Sequence, residues 1–309
     1  SNSLIIANEV SSKRIGALFE NVRRWGCHNT IITQHNPRTF TNFPETFDIV
    51  VVDAPCSSEG QFRKDPKIMK KWTPSLPAYY SKEQRTILDC SVLSLKTGGF
   101  LIYSTCTYEP AENHRNVEYL IEKYDMEPVS IKVPQEWGIE VLSDSGAFIF
   151  YPHKVKGEGF FLALLRKTKS VDLKKHRVYM RGNSVFVPPS PSFLRRTEEF
   201  VLYQDDIEIV EWRHTNQEIT IIPGHFLSLP LLQHIKILYC GFPFAIRKQS
   251  DYILASDLPF SWHFNSEHLK KEEIIDYRTF LPLPLKNYSI NEIDSVIVLR
   301  GFPLILKNA

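Results

Sequence analysis

Two cysteines occupy positions from which a side chain can do chemistry. Cys106 lies at the edge of Leu101-Ile102-Tyr103-Ser104-Thr105-Cys106-Thr107, an apolar run that follows Gly98-Gly99 and stops before Pro110. The pattern reads as a buried strand ending in a polar rim. Cys56 follows a β-branched run, Phe47–Asp53, that continues into Asp53-Ala54-Pro55-Cys56-Ser57-Ser58-Glu59-Gly60. Such a run suits a parallel strand covered on both faces. In an open α/β sheet, ligands bind beyond the strands' carboxyl ends. Adjacent parallel strands would therefore carry both thiols and the Asp53 carboxylate to one rim, although the cysteines are fifty positions apart. Two thiols beside an acid can form a disulfide, a metal site or a covalent-catalysis pair. Either cysteine taken alone is as readily a small buried hydrophobe.

The elements that must position these groups follow from periodicity. Leu4–Ala7 reads as a strand and Ile15, Leu18, Phe19, Val22 and Trp25 as a helical stripe, with Ser11 or Ser12 as its cap and Gly26 as its stop. This sets Glu9 at a strand's carboxyl end, where a nucleotide-binding sheet places an acceptor for ribose hydroxyls; an exposed turn carboxylate is the plainer reading. Residues 29–33 give a second strand. Ile87, Leu88, Val92 and Leu95 outline a helix that exits through residues 96–99, and Pro110 with Glu109 and Glu112 opens another, whose buried stripe is Val117, Leu120, Ile121 and Tyr124. Phe148–Pro152 and Gly159–Leu165 predict an antiparallel hairpin. Alternating strands and helices predict an α/β fold with a doubly wound, mostly parallel, Rossmann-like sheet. Later runs at 218–222, 235–239 and 296–299, set between prolines and glycines, predict small β-rich α+β modules.

Composition limits the classes. The chain has 309 residues, 43% hydrophobic and 23% charged, as expected of a soluble globular protein of more than one domain. No apolar run approaches the roughly 18 residues of a membrane helix, and no secretory leader precedes Leu4. The chain is expected to begin within a domain. Five widely spaced cysteines without a Cys-x-x-Cys pair point to a reducing cytoplasm and to no structural zinc. A disulfide is then disfavoured and a metal lacks further ligands, which leaves covalent catalysis. A free thiol is only roughly 3% ionised at pH 7, and reaching half ionisation takes some 2 kcal/mol of stabilisation from basic groups or helix ends. Net charge is +2, yet basic residues cluster at 61–71 and 169–181. Each run is either a solvated face or a track for phosphates.

The paired motifs carry a resemblance. Asp53-Ala54-Pro55-Cys56-Ser57-Ser58-Glu59-Gly60, then Arg63-Lys64-Asp65-Pro66, Ser104-Thr105-Cys106-Thr107, Glu109–Asn113 and Gly157-Glu158-Gly159-Phe160-Phe161 resemble the signature of the NOL/NOP/Sun family of RNA cytosine-5 methyltransferases, in its bacterial RsmF type. The similarity covers residues 4–167. It implies a methyltransferase domain at 1–167, a linker at 168–192, a small α+β module at 193–265 and a PUA-like RNA-binding module at 266–309.

The resemblance also implies a mechanism and its residues. Cys106 would attack C6 of an unpaired or flipped cytosine in RNA, ribosomal RNA first and transfer RNA second; Asp53 would support the ring at N3; Cys56 would promote release. S-adenosylmethionine would be held by Glu9, Arg14, Asn36 and Asp53, with Asn36 where the family usually has an acid. Arg63, Lys64, Lys67, His153 and Lys154 would line the RNA groove. No metal and no membrane are implied, and a monomer is expected. The family's glycine-rich cofactor loop and first strand are expected ahead of Leu4, and the PUA-like module is expected to continue past Lys307. The competing reading is an RNA-binding protein that keeps the fold without catalysis; a DNA cytosine methylase is a distant third.

Overall fold

The computed structural model describes residues 3–26, 28–171, 186–197, 207–212 and 218–248, and beyond these the strands at 251–254, 272–274, 288–289, 295–299 and 302–306. In chain order the elements are β1 (Ile5–Asn8), α1 (Ile15–Trp25), β2 (Thr30–Thr33), β3 (Phe47–Asp53), α2 (Pro66–Lys71), α3 (Leu76–Ser94), β4 (Leu95–Thr105) and α4 (His114–Tyr124). There follow β5 (Met126–Pro128), β6 (Glu140–Leu142), β7 (Ala147–Phe150), β8 (Phe160–Lys167), β9 (Phe186–Val187), α5 (Pro191–Thr197), β10 (Ile207–Trp212), β11 (Glu218–Pro223), β12 (Ile237–Cys240) and β13 (Phe242–Lys248). The remaining described strands are β14 (Asp251–Leu254), β15 (Glu272–Ile274), β16 (Tyr288–Ser289), β17 (Ser295–Leu299) and β18 (Phe302–Leu306). The chain divides into two units, residues 36–178 and residues 1–35 with 179–309.

The unit of residues 36–178 is built on a sheet of order β3-β4-β8-β7-β6, with β5 added to β8. β3 and β4 run parallel from Ile49↔Phe100 to Asp53↔Ser104, so the two strands leave the sheet at the same level. β8 lies antiparallel to β4, and the predicted hairpin is present as β7 and β8. One face, carrying Leu101, Tyr103, Phe161, Ala163 and Leu165, is buried under Leu88 and Val92 of α3 and Val117 and Leu120 of α4. Burying each such aliphatic side chain contributes about 1.5–3 kcal/mol.

Three local expectations are corrected here. Cover on both faces of β3 is not found: among the described residues it pairs with β4 alone, and the face that carries Ile49 and Val51 leaves them 58% and 65% exposed. Residues 96–99 do not form a helix exit, because β4 begins at Leu95 and the register slips opposite Phe47–Ile49. Gly98 supplies the positive φ of 84° that this irregularity demands. The helix after Pro110 starts only at His114, and Glu112 is buried in the turn before it.

Lys167, at the end of β8, is fully buried. Its ammonium donates to the carbonyls of Val92 (2.9 Å) and Leu95 (2.7 Å) at the end of α3 and pairs with Glu45 at 3.1 Å. A cation there satisfies carbonyls that the helix leaves open and complements its dipole. Lys167→Met is expected to destabilise the protein by about 3 kcal/mol, read as a lower urea midpoint at unchanged slope. A midpoint within error of wild type would refute this role.

In the other unit, β1 and β2 pair in parallel from Ile5↔Thr30 to Asn8↔Thr33, and β12 joins β2 antiparallel. Ile31 and Ile32 are fully buried, and Phe19 of α1 meets Tyr239 edge-on at 4.8 Å. Gly26 ends α1 in the left-handed conformation as predicted, but neither Ser11 nor Ser12 caps it by a side chain. An antiparallel sheet of order β16-β14-β13-β11-β10-β9 follows, with Phe193 of α5 against Phe244 at 5.7 Å. The proline-rich stretch at 187–192 thus carries the end of β9 and the start of α5. β17 pairs with β15 in parallel and with β18 antiparallel. Most of the proposed PUA-like segment and the basic run beyond residue 171 lie outside the described residues.

Candidate active site

The Asp53↔Ser104 register sets where the next residues fall. Cys56 is three residues beyond β3's last residue and Cys106 one beyond β4's, and their sulfurs stand 3.1 Å apart. Asp53 is exposed at the rim and accepts a long hydrogen bond from the Ser104 hydroxyl at 3.3 Å. Ser58, in the left-handed region at φ 63°, brings its hydroxyl 3.7 Å from the Cys106 sulfur and 3.8 Å from that of Cys56. A serine seldom adopts that conformation unless the surroundings impose it. Here its hydroxyl donates back to the Cys56 carbonyl at 3.1 Å.

The two thiols differ in kind. Cys56 is buried, whereas Cys106 is partly exposed. The contact with Cys56 is the main cause that lowers Cys106 to about 7; the Ser58 hydroxyl helps, while burial and Asp53 oppose. The same contact, then burial, pushes Cys56 well above the usual thiol range. The pair therefore holds one proton on Cys56 and presents a sulfur anion at Cys106 near neutrality. Of the two, Cys106 has the more accessible and more readily ionised sulfur, with that of Cys56 buried behind it.

Two glycines let the loops meet. Gly60 donates its N–H to the Cys106 carbonyl at 2.9 Å and accepts from the Gly159 N–H at 3.3 Å. The Tyr108 ring lies on Gly159, where an added Cβ would stand 2.1 Å from it. Tyr108 in turn faces Tyr151 at 5.7 Å, and Tyr151 faces His153 at 5.4 Å with the Lys154 ammonium 5.4 Å over its ring.

Among the remaining predicted residues, Arg63 donates to the Gly157 carbonyl at 2.5 Å and lies 3.9 Å from Glu158. Lys64 and Lys67 are exposed, and the Asp65 carboxylate caps α2 through the Lys67 N–H. Asn36 is engaged through its side-chain oxygen with the Arg38 N–H at 3.0 Å. Glu9 and Arg14 belong to the other unit, where Arg14 approaches both Glu9 carboxylate oxygens at 3.1 Å and the Ser11 N–H donates to one of them at 2.7 Å. A carboxylate offers about four acceptor positions, so Glu9 retains capacity for a ribose hydroxyl. Asp53, with its single long bond, retains more. Taken each in its own unit, Glu9 and Asp53 keep acceptor positions of the kind a ribose hydroxyl or an amino group uses. Among the described residues no His/Cys/Asp/Glu group has the form of a metal site, and no helix is long and apolar enough to cross a membrane.

Sequence reasoning did not assign Ser58, Gln84, Tyr108 or the separate roles of Gly60 and Gly159. The repeated glycines at 60, 157 and 159 were the available signal for close backbone approach.

A Rossmann-like α/β sheet with an acid and two thiols at strand carboxyl ends defines an S-adenosylmethionine-dependent methyltransferase fold. The chain belongs to the 16S rRNA methyltransferase RsmB/F family, whose description matches residues 1–166. It is similar to ribosomal RNA small subunit methyltransferase F of Cronobacter sakazakii, 31% identical over 285 residues, or 86% of this chain and 58% of that protein. The corresponding Shewanella amazonensis protein is 40% identical over 171 residues, or 54% of this chain and 37% of that one. The chain thus spans about half the length of the curated relatives it matches. Among solved structures, PH0851 is 28% identical with a TM-score of 0.50, covering 53% of this chain and 37% of that one.

Proposed function

We propose that the protein methylates C5 of a cytidine in RNA, most readily 16S ribosomal RNA, through a covalent bond between Cys106 and C6. The observation that carries this reading is the 3.1 Å thiol pair, one sulfur buried and the other partly exposed, with the contact drawing Cys106 down to about 7. Family membership and the named relatives support the RNA substrate.

The Cys106 sulfur adds to C6 and forms the S–C6 bond, which makes C5 electron-rich. Asp53, sharing a proton with ring N3, offsets the negative charge that spreads onto the base. S-adenosylmethionine, when bound, supplies the methyl group, and Glu9, Arg14, Asn36 and Asp53 are the residues to hold it. A solvent water then takes the C5 proton as base, the C5–H electron pair re-forms the C5=C6 bond, and the S–C6 bond breaks with its electron pair returning to Cys106. Cys56, already hydrogen-bonded to that sulfur, stabilises it as the leaving group. C6 is not approachable in a stacked helix, so the base is unpaired or flipped. Arg63, Lys64, Lys67, His153 and Lys154 serve flanking phosphates, and residues 168–309, including the proposed PUA-like module at 266–309, serve as an RNA platform in a cytoplasmic protein.

The full-length protein is expected to transfer methyl groups to a 16S rRNA transcript and not to DNA, and bisulfite mapping of cellular RNA with and without the gene should locate the position. RNA binding without cofactor binding or transfer would instead leave a non-catalytic RNA-binding protein. The pH dependence is fixed by sign. The reactive form is the Cys106 thiolate, so adduct formation should rise roughly tenfold per pH unit below about 7 and level off above it. An inflection near 8.5, the value of an unassisted thiol, would contradict this reading.

A further inference from the structure

The thiol contact is set by two loops, and adjacent residues of one turn hold one loop each. Glu112 is fully buried, and its Oε2 accepts from the Ser57 N–H at 3.1 Å and the Gln84 amide at 2.8 Å. Gln84 also donates to the Pro55 carbonyl at 2.9 Å. Residues 55 and 57, on either side of Cys56, are therefore both tied to Glu112, one directly and one through Gln84.

Asn113, also buried, accepts from the Thr105 hydroxyl at 2.7 Å and donates to the Thr107 carbonyl at 2.9 Å. It grips the residues on either side of Cys106. The turn itself is anchored by the Tyr103 hydroxyl, which donates to the Glu112 carbonyl at 2.6 Å, and by Asn116, which donates to the same carbonyl at 3.0 Å. A hydroxyl contact of 2.9 Å between Ser57 and Thr107 joins the two loops directly. None of these side chains reaches a sulfur.

We propose that Glu112 and Asn113 are the positioning residues of the thiol pair, Glu112 fixing the place of Cys56 and Asn113 fixing that of Cys106. The inference rests on the reading that Cys106 forms the adduct and Cys56 assists its release. Glu112 has a second buried oxygen without a hydrogen-bond partner, and burial pushes its carboxyl above the ordinary carboxylate range, so a full charge is not what the site uses; the accepting oxygen is. Glutamine can then replace it, since an amide oxygen accepts the same two hydrogen bonds.

A merely structural pair would affect both chemical steps alike, whereas a divided grip separates them. The test uses the full-length protein, a 16S rRNA transcript and S-adenosylmethionine, with adduct read on denaturing gels and methyl transfer read in parallel. At about pH 9.5, above the range of an unassisted thiol, where Cys106 ionises with or without its partner, Glu112→Ala is expected to form adduct within about threefold of the wild-type rate but to release it at least tenfold more slowly, so adduct accumulates. Asn113→Ala is expected to slow adduct formation at least tenfold without accumulation. Glu112→Gln should restore most of the release. If the alanine variants do not fold, Gln84→Met, which removes the amide's bonds to Pro55, Glu112 and Asn116, and Thr105→Val, which removes the hydroxyl's bonds to Asn113 and the Thr107 N–H, act on the two sides separately and should reproduce the same division. Equal slowing of both steps on both sides, or a Glu112→Gln variant as slow as alanine, would overturn the inference while Cys56→Ala still traps adduct. Absence of adduct in Cys56→Ala overturns the covalent reading and this inference with it.

Discussion

Cys106→Ala is expected to abolish methyl transfer, with a loss on the order of 10⁴-fold or more, whereas Cys56→Ala is expected to leave RNA bound covalently to the protein. The contrast follows from the asymmetry of the pair. Cys106 has the exposed sulfur with its ionisation lowered to about 7, and removing it leaves no nucleophile, because Cys56 is buried behind it and holds its proton. Removing Cys56 leaves a nucleophile that attacks but loses the donor 3.1 Å from its sulfur, so the S–C6 bond breaks more slowly. The same deletion removes the main influence that lowers Cys106. The pH inflection for adduct formation should therefore move up from about 7 in Cys56→Ala, with less thiolate at neutral pH. A Cys56→Ala protein that turns over normally, with no adduct on a denaturing gel, would contradict the assignment. So would an inflection that stays in place.

That the two thiols and Asp53 meet at one rim was legible because it depends on two local signals, the ends of apolar runs and the residue types that follow them. Asp53 ends β3, Cys56 follows it by three residues and Cys106 comes directly after β4, and one parallel register brings them together. What holds them was not legible. Glu112 contacts Ser57 across 55 positions and Gln84 across 28, and no periodicity marks such partners in advance. A glutamate two residues after a proline looks like an exposed first-turn acid, but here the helix starts two residues later still and the carboxyl group turns inward. Apolar content misled in the opposite direction. Ile49 and Val51 fit a strand covered on both faces, yet hydrophobicity alone cannot say whether an element packs on the second face. For Glu9, a strand-end acid was recognisable, but its ion pair with Arg14 depends on the turn between them.

Gly60→Ala carries the second large expected effect. Its backbone does not require glycine's freedom; the space around it does. An added Cβ would stand 2.3 Å from the Gly159 carbonyl oxygen and 2.8 Å from that of Cys106, and both are main-chain atoms that no rotamer change can move aside. Relief has to come from shifting the loop that carries Cys106, or the strand entry at Gly159. A displacement of about 1 Å at a reacting atom is enough to cost roughly 10²-fold in rate. Gly60→Ala is therefore expected to lower the rate of adduct formation roughly 10²-fold while cofactor affinity is retained. Gly159→Ala is a graded comparison, because its Cβ would meet the Tyr108 side chain at 2.1 Å and a ring can turn away where a carbonyl cannot. It should cost less, roughly tenfold, with its effect falling on RNA affinity as Tyr108 leaves its place against Tyr151. Single-turnover adduct kinetics and RNA titrations on both variants separate the two effects. Wild-type adduct formation by Gly60→Ala would mean that the close approach of the two loops does not set the position of the nucleophile.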